Sequence, residues 1–178
     1  MKIAVALVAV LALSLPLHAY LTKEDNPQLT QLLADADDEA LELANDADDT
    51  QALIRSDETW LNHALMLAKV KGHVDTLALI IDKLSKAQNS GSELQREAVE
   101  QMLPLVKELS ANTTAAINYL NSNKNRPVSD AYIQYLKKNA ETAHQLSSMI
   151  SSLVDYEKSM SDIERLRSDL GVSGTGDL

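Results

Sequence analysis

Residues 60–84 read WLNHALMLAKVKGHVDTLALIIDKL, and their periodicity decides the fold class. Trp60, His63, Leu67, Val70, Val74, Leu77, Ile81 and Leu84 recur at spacings that alternate between three and four. That heptad pattern marks one stripe of an α-helix packed along its whole length against neighbours at shallow crossing angles. The helix is expected over residues 56–87, with Ser56 as N-cap and Asp57 and Glu58 in the first turn, facing the positive end of the helix dipole.

Three more helical patterns flank it. Upstream, Asn26 as N-cap and Pro27 at the first helical position open a helix expected over 27–49, with Leu29, Leu32, Leu33, Ala36, Ala40, Leu43 and Ala47 on one stripe. Downstream, KAQNSGS breaks the pattern, and Ser92 with Gln95 forms a capping box for a helix over 92–122. Its stripe is Val99, Met102, Val106, Leu109, Thr113, Ala116 and Leu120, and Pro104 inside it predicts a kink. After NSNKNRP, Ser129 caps a fourth helix over 129–170, with Val128 and Ile133 placed as a hydrophobic staple and Gly171 as the stop. Its stripe is Leu136, Ala140, Ala143, Ile150, Leu153 and Met160. This helix is longer than its partners, so its last turns are expected to project beyond them. Residues 172–178 read as a disordered tail. Short connections make sequential helices antiparallel neighbours, and the expected fold is an all-α, up-down-up-down four-helix bundle over 20–171.

The chain of 178 residues suffices for one domain. It has no Cys and no Phe, which excludes disulfides, cysteine nucleophiles, thiolate zinc sites and iron–sulfur clusters. Residues 1–19, MKIAVALVAVLALSLPLHA, combine Lys2, an apolar run, Pro16 and a small Ala19, the layout of a secretory signal peptide cut before Tyr20. The alternative is an uncleaved anchor, because Leu17 is an unusual residue at its position before the cut. The protein is therefore expected to be periplasmic or secreted, with no membrane association beyond the signal.

The net charge is −10, and ten of the 26 acids fall between Glu24 and Asp49, a stretch without one base. Such a surface repels nucleic acid and anionic lipid, and leaves a basic protein or a cation as the partner it would attract. Within it DADD occurs twice, at 35–38 and 46–49. Eleven residues advance a helix by close to three turns, so both copies share one face, as a solvated acidic stripe and not a convergent site. The second copy alone extends into a degenerate calcium loop, with Asp46, Asp48 and Thr50 in the first, third and fifth places and Asp57 in the twelfth. Gln51 stands where the sharp turn needs Gly, which argues against it.

Histidine supplies the remaining candidates. His63 lies on the seam, and folding about the loops places it level with Ala40, Asn112, Thr113, Ala116, Tyr135 and Leu136, as a buried polar layer or the wall of a small cavity. A non-covalent haem held by His63 with Met102 or Met149 is the sharper version, although those levels match poorly and CxxCH is absent. Glu141 and His144 form one Glu-x-x-His motif of the kind that di-iron bundles use twice. His73, Glu108, Glu141 and His144 at similar heights would make at most a mononuclear metal site. No nucleophile elbow, phosphate loop or HExxH is present. The leading expectation is a non-enzymatic binding, scaffolding or envelope-associated bundle without a cofactor. The alternative is a metal or haem carrier using His63 or Glu141 and His144, and a third reading is a partner-binding bundle that docks through its acidic first helix and long fourth helix. No motif is specific enough to name a family.

Overall fold

Four amphipathic segments joined by short turns bury their stripes most completely by packing as a square of antiparallel neighbours. The computed structural model, which describes residues 26–56, 58–126 and 128–171, has that arrangement. Helices α1 (Pro27–Ala52), α2 (Trp60–Ala87), α3 (Glu93–Ser122) and α4 (Asp130–Asp169) follow in order, with single 3₁₀ turns at Leu53–Arg55 and Gln88–Ser90. Helix α1 packs on α2 and α4, and α3 packs on α2 and α4. There is no strand among the described residues. The expected signal peptide at 1–19, the tail at 172–178 and Asp57 lie outside the described residues.

The caps follow from the sequence. Asn26 accepts from the Gln28 amide at 2.9 Å, and the Ser92–Gln95 capping box forms in both directions. Ser129 caps α4, and Gly171 ends it at φ +64°, a left-handed conformation that glycine adopts without a Cβ penalty. Helix α3 continues through Pro104 as one element. At Gly91 the constraint is space: a Cβ there would stand 2.4 Å from Leu29 Cδ1 and 2.5 Å from Gln95 Oε1. Only glycine lets the α2–α3 turn close this tightly over the start of α1.

One boundary differs from the expectation. Helix α1 runs to Ala52, about a turn beyond Asp49, and α2 starts at Trp60 and not at Ser56. Thr59 is the actual cap, its hydroxyl accepting from the Asn62 amide at 3.3 Å. The Ser56 hydroxyl instead donates to the Leu53 carbonyl at 3.1 Å and closes the 3₁₀ turn. Both are short hydroxyl residues able to satisfy a backbone group locally, and the fold caps α2 with Thr59 rather than with the expected Ser56.

The core divides in two. A long aliphatic body spans all four helices, including Leu29, Leu33, Leu43, Val70, Leu77, Leu84, Val99, Leu109, Leu146 and Ile150. A smaller cluster at the α1–α2 turn joins Leu67, Ala116, Leu120, Tyr132 and Leu136, with Ile54, Trp60, Tyr119 and Tyr135 packed against it. Every position of the α2 seam from His63 to Leu84 is buried. Helix α4, at 40 residues against 26 to 30 for the others, outruns the bundle, and from residue 161 onward every described position is exposed.

Candidate functional site

Polar groups meet inside this bundle at four levels. At the aromatic end His63 is fully buried, and its Nδ1 lies 3.2 Å from the Tyr132 hydroxyl, with the two rings edge to face. Tyr119 stacks on the other side of Tyr132 at 5.9 Å between centroids. Burial lowers the His63 pKa against a smaller opposing pull from Glu58, and burial raises that of Tyr132. Desolvation disfavours the charged form of each, so the pair is a neutral imidazole with a neutral phenol. Trp60 closes this end by donating its indole N–H at 3.1 Å to the Leu120 carbonyl, in the last turn of α3, which also accepts from the Asn123 amide at 3.2 Å.

The expected layer around His63 resolves into two separate networks. Asn112 donates to the Tyr135 carbonyl at 2.7 Å and to Asn139 Oδ1 at 2.8 Å, and Thr113 donates to the same oxygen at 3.3 Å. This triad ties α3 to α4 without His63, and Tyr135 enters it through its backbone only. Ala40 belongs to the aliphatic body and Ile54 to the cluster at the His63 end. The longer α1 moves the turn and shifts the register by which His63 was matched to α1.

The third level lies between α1 and α2. His73 is half-buried, with Nδ1 2.7 Å from Glu39 Oε1 and Nε2 3.1 Å from Asp46 Oδ2. Glu42 Oε2 stands 4.0 Å from Nδ1. The other oxygen of Asp46 receives Lys69 Nζ at 2.9 Å, and that hydrogen bond raises the Lys69 pKa. Carboxylates only accept, so each ring nitrogen needs its own proton to bond both acids, and the neutral imidazole can bond only one. Glu39 and Glu42, one turn apart on α1, converge with His73 so that one ligand atom of each lies within 4.8 Å of the others.

The proposed grouping of His73, Glu108, Glu141 and His144 does not form. His73 turns to α1. Glu108 pairs with Lys138 across α3 and α4 at 2.8 Å, and that contact, helped by Glu141, raises the Lys138 pKa. His144 reaches across to Asp48 at 2.9 Å. The calcium loop does not form either: Asp46, Asp48 and Thr50 lie within α1, and helical spacing turns Asp46 toward α2 and Asp48 toward α4. Thr50 spends its hydroxyl on the Asp46 carbonyl at 2.6 Å.

Helix α1 thus uses part of its acidic stripe structurally. Its acids meet a histidine on each neighbour, His73 on α2 and His144 on α4, and Asp37 accepts from Ser151. Asp35, Asp38, Glu42 and Asp49 remain exposed. Two further buried groups form a pair that the sequence did not signal, since Gln95 reads only as the capping-box partner of Ser92 and Glu157 only as a position on an inner face. Gln95 accepts from the Ser92 amide and donates to buried Glu157 at 2.9 Å, bridging α3 to α4 beside Thr30. Above this bridge, a groove bordered by Pro27, Thr30, Leu94, Met160, Ile163 and Arg167 opens under the projecting end of α4. No described helix is long and apolar enough to cross a membrane. No family model matches the chain, and comparison with curated proteins and with solved structures finds no match.

Proposed function

We propose that the protein is an exported, non-enzymatic helical bundle that binds or scaffolds other envelope or extracellular components. The observation that carries this reading is the contrast between a closed interior and an open α4. Inward polar side chains find cross-helix partners, as at His63–Tyr132, Asn112–Asn139 and Gln95–Glu157, and among the described residues only single atoms such as His63 Nε2 and Asn139 Nδ2 are left buried without one. Tyr156, Ile163, Leu166 and Leu170 meanwhile stand exposed on the long fourth helix. Export rests on the signal-like residues 1–19. The test is fractionation of the native source with mass measurement of the purified chain. A species beginning at Tyr20 outside the cytoplasm is expected, and a full-length cytoplasmic chain would overturn export. A basic partner docked on the exposed acids of α1 would lose affinity steeply as salt rises. Affinity indifferent to salt would remove that face from consideration.

One observation favours a second reading, a divalent-metal site at Glu39, Glu42 and His73 in place of His63 or Glu141 and His144. Asp46 on Nε2 is placed as the carboxylate that orients a metal-bound imidazole, leaving Nδ1 to face the two glutamates. Borderline ions such as Zn²⁺ suit this mixed nitrogen and oxygen set. Titration with Zn²⁺ should show one equivalent bound and lost in His73→Ala. Binding that survives this substitution would assign the metal to the diffuse acidic surface.

A further inference from the structure

We infer that the projecting end of α4 is a homodimerisation element, pairing in parallel with the same segment of a second copy. This rests on the reading of the protein as a binding bundle and names its first partner. Tyr156, Ser159, Ile163, Leu166 and Leu170 follow one another at spacings of three, four, three and four, so they occupy the a and d places of two heptads. The four large side chains of this set are 46, 43, 54 and 76% exposed respectively. At 100° per residue, Ile163 and Leu170 lie about 140° and about 160° around α4 from the inward Ile150, so the stripe has left the face that the bundle covers. Helix α4 is already formed through the bundle, and pairing would not bear the nucleation cost that makes an isolated two-heptad helix marginal.

Charge selects the occupant and its direction. The places flanking this stripe on one side are Asp155, Asp162 and Asp169, all acidic, and on the other side Met160 and Arg167. In an antiparallel pair the acidic column would face itself. In a parallel, in-register pair each column faces the opposite one, and Asp162 of one copy meets Arg167 of the other, twice by symmetry. Arg167 makes no ion pair among the described residues, and Asp162 holds only an exposed contact to Arg165 at 3.2 Å. Both are open to exchange.

The full mature chain tests this. Two heptads give an interface in the weak class, so sedimentation equilibrium should run from ~5 to ~500 µM. A monomer–dimer equilibrium is expected, lost in Ile163→Asp with Leu166→Asp, whose circular dichroism and melting should match wild type because both sites are exposed. Arg167→Asp should weaken the dimer at least severalfold, and adding Asp162→Arg should restore it. The chain has no cysteine, so Ile163→Cys alone should form an oxidised dimer, as parallel register requires. A chain monomeric at the highest concentration overturns the inference, as does crosslinking of Ile163→Cys only to Leu166→Cys, the antiparallel outcome. Either result leaves the broader binding reading standing, because that one fails on export.

Discussion

Leu77 belongs to a core cluster whose buried side chains are aliphatic except for Met102, whereas the cluster of Tyr132 mixes aliphatic side chains with the rings of Trp60, Tyr119 and Tyr135, and Tyr132 also meets His63. The aliphatic body gains its stability from area removed from water and is indifferent to orientation. The aromatic end gains less from area, and depends on the Tyr132 hydroxyl meeting His63, the Trp60 indole meeting Leu120 and the Asn112 amide meeting Asn139. One region supplies free energy and the other supplies register, since a slip of one residue would leave these groups buried without partners.

The largest expected effect lies in the body. Leu77→Ala, at a fully buried position, should destabilise the protein by about 3 kcal/mol through lost transfer energy and the cavity left behind. Urea denaturation followed by circular dichroism measures it. A loss below ~1 kcal/mol would mean that the body collapses freely around the cavity and is not packed as the structure has it.

At the aromatic end the effect should be smaller and of another kind. Tyr132→Phe keeps the ring against Tyr119 and removes one hydroxyl, leaving His63 Nδ1 buried without its partner, at a cost of about 1–2 kcal/mol. If the loss is real but His63→Leu in the Tyr132→Phe background does not recover part of it, the hydrogen bond is not its source. Replacing both members with apolar groups should come closer to neutral than removing one.

The same pair sets a pH dependence that the body lacks. Burial holds His63 below its ordinary pKa of 6.5, so the folded protein binds fewer protons there than the unfolded chain. Its neutral form is accommodated fully above pH 6.5. As pH falls through 6.5 toward the lower folded value, stability is lost, and below that value the loss is complete. Melting temperatures between pH 7.5 and 5 should therefore fall faster for wild type than for His63→Leu. Parallel curves would show that His63 does not titrate across this range.

How much could be read in advance also divides along this line. The body was legible because Leu, Val and Ile recur at heptad spacing, and the seam from Leu67 to Leu84 is buried at every place. Polar partners were not, because a buried Asn139 or Asp46 is written with the same letters as a solvated one. His63 lies inside, as its seam position indicates, yet the side chain it meets is Tyr132, about one turn before the Tyr135 expected at its level, because level alone does not fix which α4 residue turns inward. His73 and His144 were grouped with Glu108 and Glu141 by height and by the Glu-x-x-His spacing, and each meets an acid of α1 rather than that set. Pairing across helices depends on helix rotation to within one residue, which periodicity alone does not supply.

The smallest expected effect belongs to the surface, which holds neither kind of core. Glu108 and Lys138 meet at 2.8 Å across α3 and α4, but their side chains are 43 and 50% exposed. Water screens the attraction, and ordering two long side chains costs entropy that offsets most of it. Glu108→Gln should accordingly shift the melting temperature by no more than about 2 °C. The difference should vanish in 0.5 M salt, where the Debye length is roughly 4 Å. A larger, salt-resistant shift would make this pair a third organising contact between α3 and α4, alongside Asn112–Asn139, and would extend the role of setting register from the aromatic end to the exposed faces of the bundle.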